Sequence, residues 1–176
     1  MNTRILVMLS LLIGIGTVLH YIMPPFFFGM RPDMMLAMMF LGIMFFPGLR
    51  YVIVLAAATG IISALTTTVP GGQLANLIDK PVTALTFFGL YLLVKKKMND
   101  KWTPSILTAA GTMVSGGVFL SVVLFVIGLM HASFAVMFMT VVLPTALLNG
   151  FLMAIIYPIA QGIIKRARLP QSVSYR

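Results

Sequence analysis

The stretch from Pro24 to Met39 reads PPFFFGMRPDMMLAMM and separates two apolar segments of the chain. Its two adjacent prolines stop a helix, because each lacks an N–H donor and clashes with the preceding turn. The stretch therefore predicts a loop, and its phenylalanines and methionines make that loop unusually apolar. It also carries Arg31 and Asp33, so it is suited to cover a pocket for a flat, zwitterionic ligand.

The composition predicts a membrane protein. Of the 176 residues, 60% are hydrophobic and 9% are charged, whereas about 25% of the residues of a soluble domain are charged. A water-soluble fold of this size could not hide so much apolar surface, so we expect one polytopic integral membrane domain over residues 1–176. The first apolar run lacks a small-residue cleavage site, which argues against a cleavable signal peptide.

Apolar segments separated by turn signals predict an all-α bundle of six transmembrane helices. The expected ranges are Ile5 to Met23, Met34 to Phe46, Tyr51 to Val69, a fourth segment ending at Val94, Pro104 to Met130, and Phe134 to Ile164. The second segment is short for a full span, so we expect it to borrow flanking residues, with Asp33 as its N-cap. Pro144 and Pro158 should kink the sixth segment.

Two further patterns bear on how the helices meet. Small residues at spacing four predict close helix contacts in the third and sixth segments, at Ala56, Gly60 and Ala64 and at Ala146, Gly150 and Ala154. The stretch from Val69 to Pro81 is interpreted as an outer connection that begins with a Pro-Gly-Gly turn. If its second part is helical, Gln73, Asn76 and Lys80 share one face.

The charge distribution predicts the orientation of the chain. With a cytoplasmic N-terminus, six spans place all Lys and Arg residues except Arg31 and Lys80 on the cytoplasmic side. This positive-inside bias puts both termini in the cytoplasm. It also accounts for the net charge of +9 without a nucleic-acid partner, because these cations lie next to anionic lipid.

Each of the two outer cations has an acid close to it in sequence, Asp33 for Arg31 and Asp79 for Lys80. Polar groups at membrane depth are costly and tend to mark binding sites or pathways. The alternative is that both are local ion pairs that only fix the loops. The spacing does not decide which pair contacts a ligand.

Polar residues on the apolar helices allow similar alternatives. Asn149 is either a helix–helix hydrogen-bonding residue or a ligand contact, and the flanking, helix-kinking Pro144 and Pro158 support the ligand contact enough to leave both roles equally open. His20 and His131 lie at helix ends and are interpreted as interfacial side chains. The methionines are interpreted mostly as lipid-facing or packing residues, and Met34, Met35, Met38 and Met39 could also line an adaptable apolar pocket.

The motifs of common enzymes are absent from the sequence. It contains no H-E-x-x-H, no Walker A loop and no G-x-S-x-G, and no cysteine that could form a disulfide or a thiolate metal site. We therefore expect no enzyme, no metal and no cofactor. If the protein moves a solute against a gradient, the energy must come from a partner or from an ion.

Three segments resemble a known family. They are HYIMPPFFFGMRPDMMLAMMF (His20 to Phe40), TGIISALTTTVPGGQLANLIDKP (Thr59 to Pro81) and VVLPTALLN…YPI (Val141 to Ile159). They are similar to the tryptophan-transport membrane proteins of Bacillus-type bacteria, a TrpP-like family. Those proteins in turn resemble the substrate-binding S components of energy-coupling factor (ECF) transporters. The specific motifs are G-x-R-P-D-M-M at Gly29–Met35 and N-x-I-D-K-P at Asn76–Pro81.

The resemblance implies a multi-pass cell-membrane protein with an S-component-like bundle and an L-tryptophan site near the outer face, capped by the first loop. It also implies a transmembrane coupling subunit and two ATPase subunits as partners. S components often carry Ala-x-x-x-Ala on the first helix for docking the coupling subunit. Ser10 and Gly14 match that pair in size but depart from the pattern. Two other functions stay open, a self-sufficient ion-coupled carrier of an aromatic compound and a non-transporting membrane scaffold.

A tryptophan site of this kind needs four types of contact. An acid, Asp33 or Asp79, would bind the ammonium, and Arg31 or Lys80 would bind the carboxylate, with the planar fork of arginine favoured. Phenylalanines and methionines would hold the indole ring, and Asn149 or Asn76 would accept its N–H. The complete predicted set is Phe27, Met30, Arg31, Asp33, Gln73, Asn76, Asp79, Lys80 and Asn149.

Overall fold

The computed structural model of the chain describes residues 2–22, 32–97, 102–128 and 133–166, and these form six helical elements without a strand among them. The elements are α1 (Thr3–Ile22), α2 (Met34–Phe45), α3 (Leu49–Thr66), α4 (Gly72–Val94), α5 (Thr103–Ser121, continued by π-helical Val122–Ile127) and α6 (Phe134–Met137, π-helical Phe138–Val142 and Leu143–Arg166). The predicted all-α bundle of six helices is confirmed.

The short helix α2 lies at the centre of the bundle. Every residue from Met34 to Met44 is buried, and α2 contacts the five other helices. A helix that is apolar on all sides lies either in a protein core or in lipid, and the five other helices place α2 in the core. The expected extension of α2 by flanking residues is wrong, because it ends at Phe45 after 12 residues. The other five helices are each long and apolar enough to cross a membrane.

The core of the bundle is built on aromatic and methionine side chains of α2. Phe40 of α2 stacks on Phe87 of α4, with ring centroids 3.9 Å apart and planes at 8°. Gly111 of α5 lies against both rings, since a Cβ atom there would come within 2.6 Å of Phe87 and 2.7 Å of Phe40. Met34 and Met39 are also buried in this core, so these methionines pack inside the protein.

Both predicted small-residue stripes lie at helix contacts. A Cβ atom on Gly60 of α3 would lie 3.5 Å from the Cβ atom of Lys80 on α4. A Cβ atom on Gly150 of α6 would lie 3.1 Å from the carbonyl oxygen of Ser105 on α5. The stripe on α3 therefore lets α4 approach closely, next to the polar residues that α4 carries.

Helix α4 begins earlier than the sequence predicted. The stretch with Gln73, Asn76, Asp79 and Lys80 was expected in an outer connection, but it forms the first turns of α4, which continues through Pro81. Gly71 precedes the helix with a φ of 72°, a left-handed conformation that glycine adopts without strain. Proline removes a single N–H, and neighbouring helices make such a break tolerable in a membrane helix.

The sixth helix is irregular near Pro144, the first of its two prolines. The π-helical segment Phe138–Val142 ends two residues before Pro144, whereas the α-helix continues through Pro158. A wider turn accommodates the hydrogen bond that Pro144 cannot donate. Helix α5 also ends in a π-helical segment and stops at Gly128, which has a φ of 67°.

Candidate ligand-binding site

A cavity of about 1110 Å³ opens at one end of the bundle. Its wall comes from the last turns of α1 and α3, the second half of α5 and the first turns of α2, α4 and α6. Small-molecule pockets have volumes of about 300–1,000 Å³, so this cavity has room for a ligand and some water. Exposed cations of the described residues lie at the opposite end, at Arg4, Arg50, Lys95, Lys96 and Arg166.

A buried ion cluster forms one side of the cavity. The Nζ atom of Lys80 lies 3.0 Å from Oδ2 of Asp33 and 3.0 Å from Oδ2 of Asp79. It also donates to Oγ of Ser115 at 3.5 Å. An ammonium group has three protons to donate, so the protein itself supplies a partner for each proton of Lys80.

Asp79 is held entirely by the protein. Its side chain is 0% exposed, Oδ1 accepts from Thr83 at 2.7 Å, and Oδ2 accepts from Ser115 at 2.7 Å as well as from Lys80. A buried carboxylate needs such partners because burial without them is costly. Asp79 therefore fixes the position of Lys80 and presents little free surface to a ligand.

Asp33 is the acid that the cavity can reach. Its Oδ1 accepts a hydrogen bond from the backbone N–H of Leu36 at 3.0 Å, which confirms its predicted role as the N-cap of α2. Its Oδ2 pairs with Lys80, and 27% of the side chain stays exposed. A carboxylate offers about four lone-pair positions, so Asp33 keeps capacity for a further donor.

The ion pairing of Lys80 therefore extends beyond the local pair that the sequence predicted. The sequence paired Lys80 with its neighbour Asp79, and that contact exists. The structure adds Asp33, 47 residues away from Lys80 in sequence, because the start of α2 lies beside the first turns of α4. Asp33 and Asp79 thus meet at one lysine, a contact that sequence spacing could not show. Arg31 lies outside the described residues, as do Phe27 and Met30.

The two amides of α4 differ in position. Asn76 is buried, lines the cavity and donates from Nδ2 to the carbonyl oxygen of Ser63 on α3 at 3.3 Å. This bond orients the carboxamide, so Oδ1 is the atom that can accept a further hydrogen bond. Gln73 is exposed and is not among the residues that line the cavity.

Asn149 lies one layer behind the cavity wall. It is 0% exposed, and its Nδ2 donates to Oγ1 of Thr112 at 3.2 Å. Thr112 lines the cavity and donates its own proton to the carbonyl oxygen of Thr108 at 2.9 Å. Oδ1 of Asn149 is buried without a hydrogen-bond partner among the described residues. Asn149 thus makes the helix–helix hydrogen bond that was one of its two predicted roles.

The set of predicted site residues omitted the hydroxyl residues that support the charged and amide side chains. Ser115, Thr112 and Thr83 hold the acid and amide side chains in place. The hydroxyl residues of α5 have a periodic signal in the sequence, because Ser105, Thr108, Thr112 and Ser115 recur every three or four residues along that helix. Such spacing places them on one helix face, and all four are buried. His20 also lines the cavity, although it was interpreted as an interfacial residue.

Comparison of the sequence with known proteins identifies its family. The family model described as tryptophan transporter TrpP matches residues 2–165. The chain belongs to the tryptophan transporter TrpP family. It is 52% identical over 167 residues to a protein named probable tryptophan transport protein in Bacillus subtilis strain 168. That match covers 95% of this chain and 96% of the relative.

Two clostridial proteins with the same printed name are also similar. The protein of Clostridium acetobutylicum is 42% identical over 157 residues, which covers 89% of this chain and 91% of the relative. The protein of Clostridium perfringens is 35% identical over 177 residues, covering 96% and 97%. No solved structure matches this chain. TrpP is a family of transporters rather than of enzymes, and this TrpP-family chain is a multi-pass membrane protein.

Proposed function

We propose that this TrpP-family protein is the substrate-binding S component of an ATP-driven ECF importer and that its substrate is L-tryptophan. The observation that carries the proposal is the cavity with an accessible acid, Asp33, held beside a lysine that has no proton left to donate. Three relatives that match almost the whole chain bear the name probable tryptophan transport protein.

The ammonium group of the ligand binds at Asp33. The buried cluster contains two carboxylates and one ammonium, so its formal charge is negative and it attracts a cation. Asp79 is enclosed by Thr83, Ser115 and Lys80, whereas Asp33 is partly exposed. Of the two acids that the sequence offered, Asp33 is therefore the one we assign to the ligand.

The indole ring lies on the apolar part of the cavity wall, and its N–H donates to Asn76. Leu36, Phe119 and Val123 provide apolar surface in the same cavity. Asn76 supports this role because it lines the cavity and uses its Nδ2 atom elsewhere. Asn149 acts through Thr112, which it contacts directly. Arg31, Phe27 and Met30 remain sequence-based candidates for the carboxylate and the ring.

Equilibrium binding tests the substrate. Purified full-length protein in lipid nanodiscs is titrated with L-tryptophan, and phenylalanine, tyrosine and indole serve as competitors. We expect saturable binding that prefers tryptophan over phenylalanine, because phenylalanine leaves the acceptor without a donor. Absence of tryptophan binding by a folded sample, shown by a cooperative thermal transition, would remove the substrate assignment.

The ATP-driven module remains a proposal that rests on α1 and on the resemblance. Ser10 and Gly14 face outward from the bundle, and a Cβ atom on Gly14 would meet nothing within 4 Å. This open surface is suited to close approach of another helix. The test is uptake of labelled tryptophan by cells that express the chain with or without an ECF coupling subunit and its ATPases. Uptake that needs the module, and that falls in Gly14→Leu without loss of binding, would support it.

The buried cluster also favours one competing function, an ion-coupled carrier. Two acids that share a buried lysine can exchange a proton or a cation during transport. Proteoliposomes that contain only this chain distinguish the two functions. Accumulation of tryptophan driven by a proton or sodium gradient, without any ATPase, would favour the carrier over the S component.

A further inference from the structure

His20 lies in the last turn of α1 and lines the same cavity as the ion cluster of Asp33, Asp79 and Lys80. Its Nδ1 atom is buried and has no hydrogen-bond partner among the residues that the structure describes. A buried nitrogen without a partner costs free energy until a ligand or a water molecule binds it.

The charges in the cavity leave one ligand group unmatched. An α-amino acid carries its ammonium and its carboxylate on the same carbon, so an ammonium at Asp33 brings the carboxylate close to the negative cluster. That carboxylate needs a donor that can also be cationic. In the described part of the cavity wall, Lys80 and His20 are the side chains that can carry a positive charge.

Several other donors of the cavity wall are already engaged. Lys80 uses its three protons on Asp33, Asp79 and Ser115. The hydroxyl group of Ser115 donates to Asp79, and the hydroxyl group of Thr66 donates to the carbonyl oxygen of Ile62. His20 keeps a ring nitrogen for a new contact.

We propose that His20 binds the carboxylate of the ligand, and that the site therefore selects aromatic α-amino acids over simple indole amines. This inference rests on the proposed tryptophan binding and names a second charged contact for it. Asp33 and His20 together hold the two charged groups of a zwitterion. Of these two charged contacts, an indole amine that lacks the carboxylate would make only the one with Asp33.

The test compares two ligands and several variants of the full-length protein in nanodiscs. L-Tryptophan is compared with L-tryptophanamide, which keeps the ammonium and replaces the carboxylate by a neutral amide. His20→Leu removes the ring nitrogens at similar size, and His20→Gln is a milder replacement if the leucine variant does not fold. Tyr91→Phe is the control, since Tyr91 is a half-buried residue of α4 that is not among the residues lining the cavity.

We expect His20→Leu or His20→Gln to weaken tryptophan binding by about tenfold, the usual size of one lost charge-assisted contact. The affinity for tryptophanamide should change by less than about threefold on the same scale. Tyr91→Phe should leave the ratio of the two affinities unchanged. Asp33→Asn should weaken the binding of both ligands, because both carry the ammonium group.

Two results would overturn the role of His20. Equal losses for both ligands would mean that His20 only supports the fold, and unchanged tryptophan affinity would mean that it does not contact the carboxylate. If the unaltered protein binds no tryptophan at all, the proposed function itself fails. If the unaltered protein binds tryptophan and the His20 variants bind it equally well, only the role of His20 is wrong.

Discussion

At the level of single residues, Lys80 joins three helices, because its ammonium contacts Asp33 before α2, Asp79 on α4 and Ser115 on α5. The side chain is only 3% exposed. Removing one partner from a buried ion pair is more damaging than replacing the whole group, because it leaves an uncompensated charge. Lys80 leaves two.

Lys80→Met should therefore destabilise the protein and abolish tryptophan binding. We expect a loss of about 3 kcal/mol, the usual cost of breaking a buried pair, with the partial exposure of Asp33 limiting the effect. Thermal and denaturant unfolding in detergent would measure it. Lys96→Met is the matched control, because Lys96 is exposed at the far end of α4, and exposed sites change stability by about 0.5 kcal/mol or less. Equal stability of the two variants would contradict the buried cluster.

Asn76 offers a prediction on ligand selectivity. Asn76→Leu should weaken tryptophan binding by about tenfold, the cost of one lost hydrogen bond to a buried group, while phenylalanine binding stays the same or improves. Competition binding with both amino acids would measure the ratio. Asn149→Leu is the comparison, and it should change the ratio less because Asn149 lies behind Thr112. A larger change from Asn149→Leu would reverse the assignment of the indole acceptor.

The residue types of the site could be predicted from the sequence, but their partners could not. Asp33, Asp79 and Lys80 were identified because charges are rare in such an apolar chain. Sequence spacing can pair only neighbours, so it found the contact between Asp79 and Lys80 and missed the contact with Asp33. Ser115 and Thr83 were missed because a hydroxyl group in a membrane helix usually bonds its own backbone.

At the level of elements, α2 depends on its tight contact with α4 and α5. The Phe40–Phe87 stack and Gly111 fill the space between the three helices. Gly111→Ala should destabilise the protein by about 1–3 kcal/mol, because an added methyl group overpacks a dense core. Unfolding measurements would test this value.

Gly89 is the matched control for that substitution. It lies on α4, and a Cβ atom there would meet nothing within 4 Å. Gly89→Ala should be neutral or should stabilise by about 0.5–1 kcal/mol, because alanine is the better helix former. A Gly111→Ala protein as stable as the Gly89→Ala protein would show that the contact between the helices is loose.

The elements themselves were largely predictable from composition and turn residues. The ends of α1, α3, α5 and α6 lie within a few residues of the predicted ends. The predicted start of α4 was wrong, because a run of polar residues followed by Pro81 is typical of a loop. Their hydrogen bonds and ion pairs to α2, α3 and α5 make a helix favourable there, and a sequence does not contain those partners.

At the level of the whole molecule, the orientation in the membrane is the main prediction. The chain contains no cysteine, so single cysteines can be labelled without background. Ser133→Cys should react with an impermeant maleimide added to intact cells, because Ser133 is exposed at the start of α6, on the predicted outer side. Lys96→Cys should react only after the membrane is opened. The reverse pattern would invert the topology and place the cavity on the cytoplasmic side.

The sequence by itself determined the class of protein, the six helices, the distribution of cations and the residue types of the site, because hydropathy, proline and charge act locally along the chain. The tertiary structure decided that α2 is a central core helix, that Asp33 and Asp79 meet at Lys80, and that Asn76 lines the cavity while Asn149 lies behind its wall. These outcomes depend on contacts between residues far apart in sequence. Packing in three dimensions sets such contacts, and residue spacing does not encode them.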